Sequence, residues 1–256
     1  MSRNDDPVDI LVVGAGASGA PFAWSMASSG FKVMCLEQGK WHNPDNSPSY
    51  NDDWELGRLA DFNPDPNIRS LQEDYPIDTA KSPISPLMYN GVGGTTLHWT
   101  AHFPRFHPSD FRSRTLDNIG DDWPISYRVL EPFYNLNDGV TGISGLAGDP
   151  AYPAKPPRQT PPLAIGKPAT RLAGAFDKLG WHWWPADSAI ISEKYHDRRP
   201  CNYCGPCDLG CPPRARASVD VTYWPLALAH GATLKTRSRV REVTLSESGR
   251  ANGVLY

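Results

Sequence analysis

Apolar and polar positions along the first forty residues separate strand from helix. Asp9–Val13 (Asp-Ile-Leu-Val-Val) is a short β-branched run and Lys32–Leu36 (Lys-Val-Met-Cys-Leu) is a second. Between them stand Gly14-Ala15-Gly16-Ala17-Ser18-Gly19-Ala20 and a mixed apolar stretch from Pro21 to Ser29, closed by Gly30. This order predicts strand, glycine turn, helix, strand: one βαβ unit. Pro21 falls in the first turn of that helix, where a missing N–H costs little, and Gly30 is placed to end it.

Further along, the pattern loosens. Residues 40–88 are rich in Asn, Asp, Pro and Ser with apolar residues only singly, which predicts a long irregular excursion of the kind that covers a cofactor or simply a surface. Residues 148–168 hold seven prolines, an extended connection between subdomains. Leu172, Phe176 and Leu179 then recur at helical spacing before Gly180, predicting an amphipathic helix. Trp181-His182-Trp183-Trp184 reads as a buried aromatic edge strand or as a stacking platform for a sugar. A short helix is expected between Ser218 and Gly231, with Pro225 in its first turn. Thr233–Thr236, Val240–Leu245 and Gly253–Tyr256 are β-like, the last two joined by a hairpin turn at residues 246–250.

Composition narrows the class. The chain has 256 residues, enough for a large core in one or two domains, and a net charge of −3 that gives no electrostatic case for nucleic acid or an anionic membrane. No apolar run approaches the roughly 18 residues of a transmembrane helix, and no signal peptide is expected from the polar, acidic Met1–Asp6. The chain's own residues therefore read as cytoplasmic, or as periplasmic if exported with a signal-bearing partner. With 26 prolines and 22 glycines, against a usual share of roughly 12%, much of the chain is ordered loop, and nine tryptophans argue against disorder.

The glycine turn carries specific chemistry. Gly14 permits the tight turn, Gly16 lets backbone N–H groups approach a pyrophosphate at the helix N-terminus, Ser18 stands in the same turn, and Gly19 lets helix and strand pack closely. Glu37, at the end of the second strand, is placed to accept hydrogen bonds from an adenosine ribose. Dinucleotide binding follows; the motif alone does not separate FAD from NAD. A second stretch, Gly91-Val92-Gly93-Gly94-Thr95-Thr96-Leu97-His98-Trp99-Thr100, offers close backbone approach and hydroxyl donors suited to a phosphate or a flavin edge, or is an ordinary glycine-rich loop before an aromatic segment.

These two stretches, together with Asp122-Trp123-Pro124-Ile125-Ser126-Tyr127 and Leu130-Glu131-Pro132-Phe133-Tyr134, resemble the glucose–methanol–choline (GMC) oxidoreductases, in the branch holding pyranose oxidase and the flavin subunits of sugar and gluconate dehydrogenases. The resemblance implies FAD, not NAD, and oxidation of an alcohol carbon by hydride transfer to flavin N5. It implies contacts to the cofactor from Gly93, Gly94, Thr95 and Thr96, a covalent or hydrogen-bonding role for His98, and an adenine contact from the Val240 backbone. Spacing between the glycine pair and His98 departs from the better-known GMC signature and follows that of pyranose oxidase.

Four of the five cysteines fall in Cys201-x2-Cys204-x2-Cys207-x3-Cys211-Pro212. That is the spacing of a bacterial iron–sulfur run. The expectation is one iron–sulfur cluster on three or four of these thiolates, with a zinc site and local disulfides or unligated thiols as alternatives. Cys35, inside the second strand, reads as a packed core residue. The sugar dehydrogenase flavin subunits are similar in carrying a cluster in this region.

The expected architecture is α/β: a discontinuous Rossmann-like FAD-binding domain with part of a substrate-binding domain. Residues 1–147 form the FAD domain with its covering loop, 148–168 the connection, 169–232 a partial substrate and cysteine subdomain, and 233–256 a β segment returning to the FAD domain. The family's His–His or His–Asn pair that deprotonates the alcohol has no match here, so His42, His102, His107, His182, His196 and His230 are read as ordinary polar or core residues and no catalytic residue is assigned. The chain is expected to be an N-terminal piece of an FAD-dependent oxidoreductase acting on the CH–OH group of a sugar, polyol or sugar acid, with a cytochrome or small subunit as partner. The alternatives are a flavin oxidase with structural cysteines and a non-catalytic FAD-binding or electron-transfer module.

Overall fold

A computed structural model describes residues 7–69, 71, 74, 75 and 77–256. Its regular elements, in chain order, are β1 (Ile10–Val13), α1 (Gly19–Ser28), β2 (Val33–Leu36), α2 (Trp54–Leu59), α3 (Pro66–Arg69), α4 (Ser113–Asp117), α5 (Tyr127–Thr141), α6 (Lys167–Leu179), α7 (Tyr223–Ala229), β3 (Thr233–Lys235), β4 (Glu242–Leu245) and β5 (Ala251–Leu255). The chain divides into two compact units: residues 1–100, 203–214 and 218–256 form one, and 101–202 with 215–217 form the other. The Pro-rich stretch 148–168 runs within the second.

The first unit is built on a parallel sheet in the order β1-β2-β3, with Ile10 opposite Val33 and Met34 opposite Thr233. The β1–α1–β2 crossover is the predicted βαβ unit. Val33, Cys35 and Leu36 are almost fully buried because β2 has a neighbour on each side. Burial pushes the Cys35 thiol up to about 12, with the Glu37 carboxylate adding to the rise. α1 presents only small side chains inward (Ala20, Ala23, Ala27), which lets it lie close against α7, whose Trp224 and Ala227 are wholly buried. Beyond the sheet, β4 and β5 form the predicted antiparallel hairpin, Glu242 opposite Leu255. The strand starts at Glu242, so Val240 precedes it instead of lying within it.

The second unit holds α4, α5 and α6, tied by isolated bridges such as Ser144 with Thr160 and Ile190 with Arg216. Phe111, Ile143 and Ile191 form its apolar centre. Beside it runs a chain of buried charges. Asp138 accepts from both Arg105 and Arg158, and Asp187 accepts from Lys155 at 2.9 Å and lies 3.5 Å from Arg158. Helix α6 ends, as expected, at Gly180 in the left-handed region (φ 66°). Its apolar stripe is not buried: Leu172 and Leu179 are exposed, and Ala173 is the residue that packs inward. The Trp181–Trp184 segment forms no strand. Trp181 is exposed on Phe176, while Trp183 and Trp184 are half-buried and donate their indole N–H groups to Asp177 and to the Leu146 carbonyl.

Candidate functional site

The glycine turn after β1 has the shape its sequence requires. Gly14 sits at φ +95°, where a side chain would be strained, and its N–H donates to the Leu36 carbonyl at 2.9 Å. A Cβ on Gly19 would overlap the Gly14 carbonyl oxygen, whereas Cβ atoms on Gly14 or Gly16 would meet only open space. One glycine is therefore needed for packing, and the other two leave a backbone-lined opening at the start of α1. Ser18, the residue before that helix, is exposed and makes no side-chain capping bond. Backbone N–H groups and a hydroxyl at a helix start form a site for an anionic group such as a pyrophosphate.

Glu37 closes this turn from the side. It is buried, and its two carboxylate oxygens accept the N–H groups of Ala15 and Gly39, each at 2.8 Å. The Ala15 carbonyl accepts in turn from Trp224 Nε1 at 2.9 Å and from the Gly93 N–H at 3.0 Å. The carboxylate predicted to face a ribose thus also fixes the turn, and each oxygen retains lone-pair capacity for further donors.

The second glycine stretch comes directly against the first. A Cβ on Gly94 would lie 3.2 Å from the Gly16 Cα, and Gly93 and Gly94 both have positive φ (103° and 53°). Thr96 holds the following 3-10 turn: its Oγ1 donates to the Gly93 carbonyl at 2.6 Å and accepts the Val219 N–H at 3.2 Å, while Thr95 is exposed. Asp220 lies beside Gly93, within 3.3 Å of where a Cβ would stand. The segment 218–224, which no sequence motif singled out, is therefore part of the site's wall.

His98 follows this turn. Its ring packs edge-on against Tyr89 and Phe62, with centroids 5.0 and 5.7 Å away, and Phe62 in turn meets His42. Nδ1 lies 2.9 Å from the Asp208 carbonyl oxygen, so Nδ1 carries the proton and donates. Behind Tyr89 stands a buried polar network. Arg69 lies over the Tyr89 ring and pairs with Asp74 at 2.6 Å, and Asp74 also accepts from Asn90, which accepts from Gln38. Burial by itself raises the Asp74 carboxyl, but the Arg69 guanidinium, the Leu71 N–H and the Asn90 amide outweigh it and hold the group below its ordinary value. This network pins Arg69 and Asp74 of the irregular excursion to the residues beside the glycine stretch.

The iron–sulfur expectation for Cys201, Cys204, Cys207 and Cys211 finds no support in the geometry. Among the described residues no group of three or more His, Cys, Asp or Glu is placed to hold a metal ion. Gly205 and Gly210, both at positive φ, bracket a 3-10 turn at Cys207–Leu209 that buries Leu209 and leaves Cys204 exposed.

The remaining histidines serve local structure or the surface: His107 accepts from Ser109 at a 3-10 start, His182 pairs with Asp149, and His230 bonds the Leu226 carbonyl. Val240 is half-buried. In the second unit, a cavity of about 270 Å³ is lined by Trp184, Tyr152, Lys155, Asp187, Asp149 and His102. No helix among the described residues is long and apolar enough to cross a membrane.

The chain is similar to several known proteins. Residues 175–256 match the family model described as GMC oxidoreductase. Over its whole length the chain is 40% identical to a 2-methyl-1,2-propanediol dehydrogenase of Mycolicibacterium austroafricanum, covering 46% of that protein. It is 29% identical to the fructose dehydrogenase large subunit of Gluconobacter japonicus over 82% of this chain and 42% of the relative. Among solved structures, a pyridoxine 4-oxidase from Mesorbium loti shares the fold, with a TM-score of 0.53 and 18% identity over 97% of this chain and 45% of that one. The chain spans less than half the length of these relatives.

Proposed function

We propose that this chain, which is similar to the GMC oxidoreductases, forms the nucleotide-binding part of an FAD-dependent oxidoreductase acting on the CH–OH group of an alcohol, polyol or sugar. The observation that carries this reading is the meeting of two glycine stretches at one backbone-lined opening, Gly94 against Gly16, with Glu37 beside it. Gly14, Gly16, Ser18 and Gly19 would hold the pyrophosphate through N–H groups and the Ser18 hydroxyl. Glu37 would accept the ribose hydroxyls, and Val240 would contact the adenine. Gly93, Gly94, Thr95, Thr96 and His98 would border the flavin. When bound, FAD supplies a two-electron acceptor for hydride from the alcohol carbon. The residues of this chain bind and orient; none is assigned as the base that takes the hydroxyl proton.

The substrate class rests on the relatives' names, of which the 40%-identical one specifies a diol. A partner subunit as electron acceptor rests only on one relative being named a large subunit. The cysteines enter as part of the turn that carries Asp208, and no metal relay is assigned to them.

Absorption and fluorescence titration of the chain with FAD tests the proposal. Saturable binding is expected, with weakened binding for Glu37→Gln; a folded chain that leaves FAD unbound overturns it. Acid precipitation of the loaded protein then separates dissociable FAD, which would leave with the supernatant, from FAD joined to His98, which would stay with the pellet.

A further inference from the structure

The cysteine run has a role that its spacing does not announce. The geometry points to the turn Pro206–Gly210 as the positioning element of His98, with the Asp208 main-chain carbonyl setting which ring nitrogen carries the proton. The two motifs are separated by 110 residues, and the contact between them is a 2.9 Å bond from His98 Nδ1–H to that carbonyl.

A carbonyl oxygen only accepts, so the bond forms only when Nδ1 is protonated. In the neutral ring this places the lone pair on Nε2, the reverse of the form that an imidazole in water prefers. Nε2 is itself buried. Tyr89 and Phe62 meet the ring edge-on and so restrain its plane. The result is an imidazole with a fixed plane and a nitrogen able to accept a hydrogen bond or act as a nucleophile. Its use at a flavin rests on the function proposed above; the tautomer does not.

The turn that supplies the carbonyl is anchored on three sides. Leu209 is almost fully buried. The Asp208 carboxylate pairs with Arg58 of α2 at 2.9 Å. Gly210, at φ +96°, lies so close to Ser47 that a Cβ would overlap the Ser47 hydroxyl. Ser47 Oγ in turn meets His42 Nε2 at 2.9 Å, and His42 packs on Phe62, which packs on His98. A shift of the turn therefore reaches His98 by two routes, the carbonyl and the aromatic cage. Gly205 and Gly210, both at positive φ, with Pro206 between them, give the run its turns.

Long-range ¹H–¹⁵N ring correlations on the labelled chain test this directly. His98→Gln deletes one histidine pattern and so identifies it. The expected pattern for His98 has Nδ1 protonated and Nε2 carrying the lone pair. Gly210→Ala, which forces the turn off Ser47, is expected to lose that pattern in favour of the Nε2–H form. Leu209→Ala is a second variant, expected to move the population in the same direction. Tyr89→Phe, which keeps the ring contact, is expected to leave it unchanged. An Nε2–H pattern in the unaltered chain overturns the inference whether or not either turn variant folds. So does an unchanged Nδ1–H pattern in a folded Gly210→Ala protein. Failure to bind FAD with the Nδ1–H pattern intact would sink the functional proposal and leave this one standing; the opposite result would do the reverse.

Discussion

Ala15 donates its N–H to Glu37 Oε2 at 2.8 Å, across a separation of 22 residues. The same alanine accepts at its carbonyl from Trp224 and Gly93. A residue with no functional side chain is thus held at both ends of its peptide unit by three distant segments. Because the turn is locked before any ligand arrives, binding a nucleotide there would not have to order it.

Glu37→Gln keeps the shape of the side chain but replaces one acceptor oxygen by an NH2 that must face either the Ala15 or the Gly39 N–H. Leaving one buried donor unsatisfied costs about 1–3 kcal/mol. A lower midpoint in urea and weaker FAD binding are expected, read by circular dichroism and fluorescence titration. An unchanged midpoint would show that the two backbone bonds add nothing.

Gly19→Ala sets a methyl group against the Gly14 carbonyl. Overpacking of this kind costs about 1–3 kcal/mol and spreads the turn from the helix. FAD binding should fall sharply while the second unit's near-ultraviolet signal persists. Gly30→Ala makes a useful contrast: its Cβ would touch nothing, and only its positive φ is at issue, so the loss should be smaller and FAD binding kept.

Asp138→Asn removes the charge shared by Arg105 and Arg158, each with a side chain 2–3% exposed. Breaking a buried pair from one side costs about 3–5 kcal/mol because the remaining charges stay buried. The loss should show in denaturant unfolding of the second unit and be little altered by added salt.

Asp74 titrates below its ordinary value in the folded chain. Its contribution is therefore full above the unfolded value of about 4 and is lost as pH falls through the lower folded value. Asp74→Asn should flatten the acid limb of a melting-temperature profile below about pH 4; an unaltered limb would place the acid sensitivity elsewhere.

Cys35, with its thiol pushed up to about 12 by burial, should resist alkylation at pH 8 in the native chain and react once denaturant is added. Its folded value lies above the unfolded one, so its contribution is full below the unfolded value and declines as pH rises toward 12. Peptide mass spectrometry identifies the site, and native labelling of Cys35 would contradict the buried placement.

The chain's own order of residues determined the βαβ unit, the glycine turn, the position of Glu37, the helix stop at Gly180 and the closing hairpin. Each depends on neighbours within a few turns, where steric limits on φ and side-chain period act directly. Tertiary structure alone decided that Gly94 lies against Gly16, that Ala15 is gripped by Trp224, and that Leu172 and Leu179 stay exposed on a helix whose spacing promised burial. It also decided the fate of the cysteine run. Sulfur spacing says which thiolates are able to gather, but the positive-φ glycines and the buried Leu209 set the turn that forms, and a main-chain carbonyl does its work on His98. Backbone carbonyls are the same at every position, so a contact made through one leaves no mark in the order of side chains.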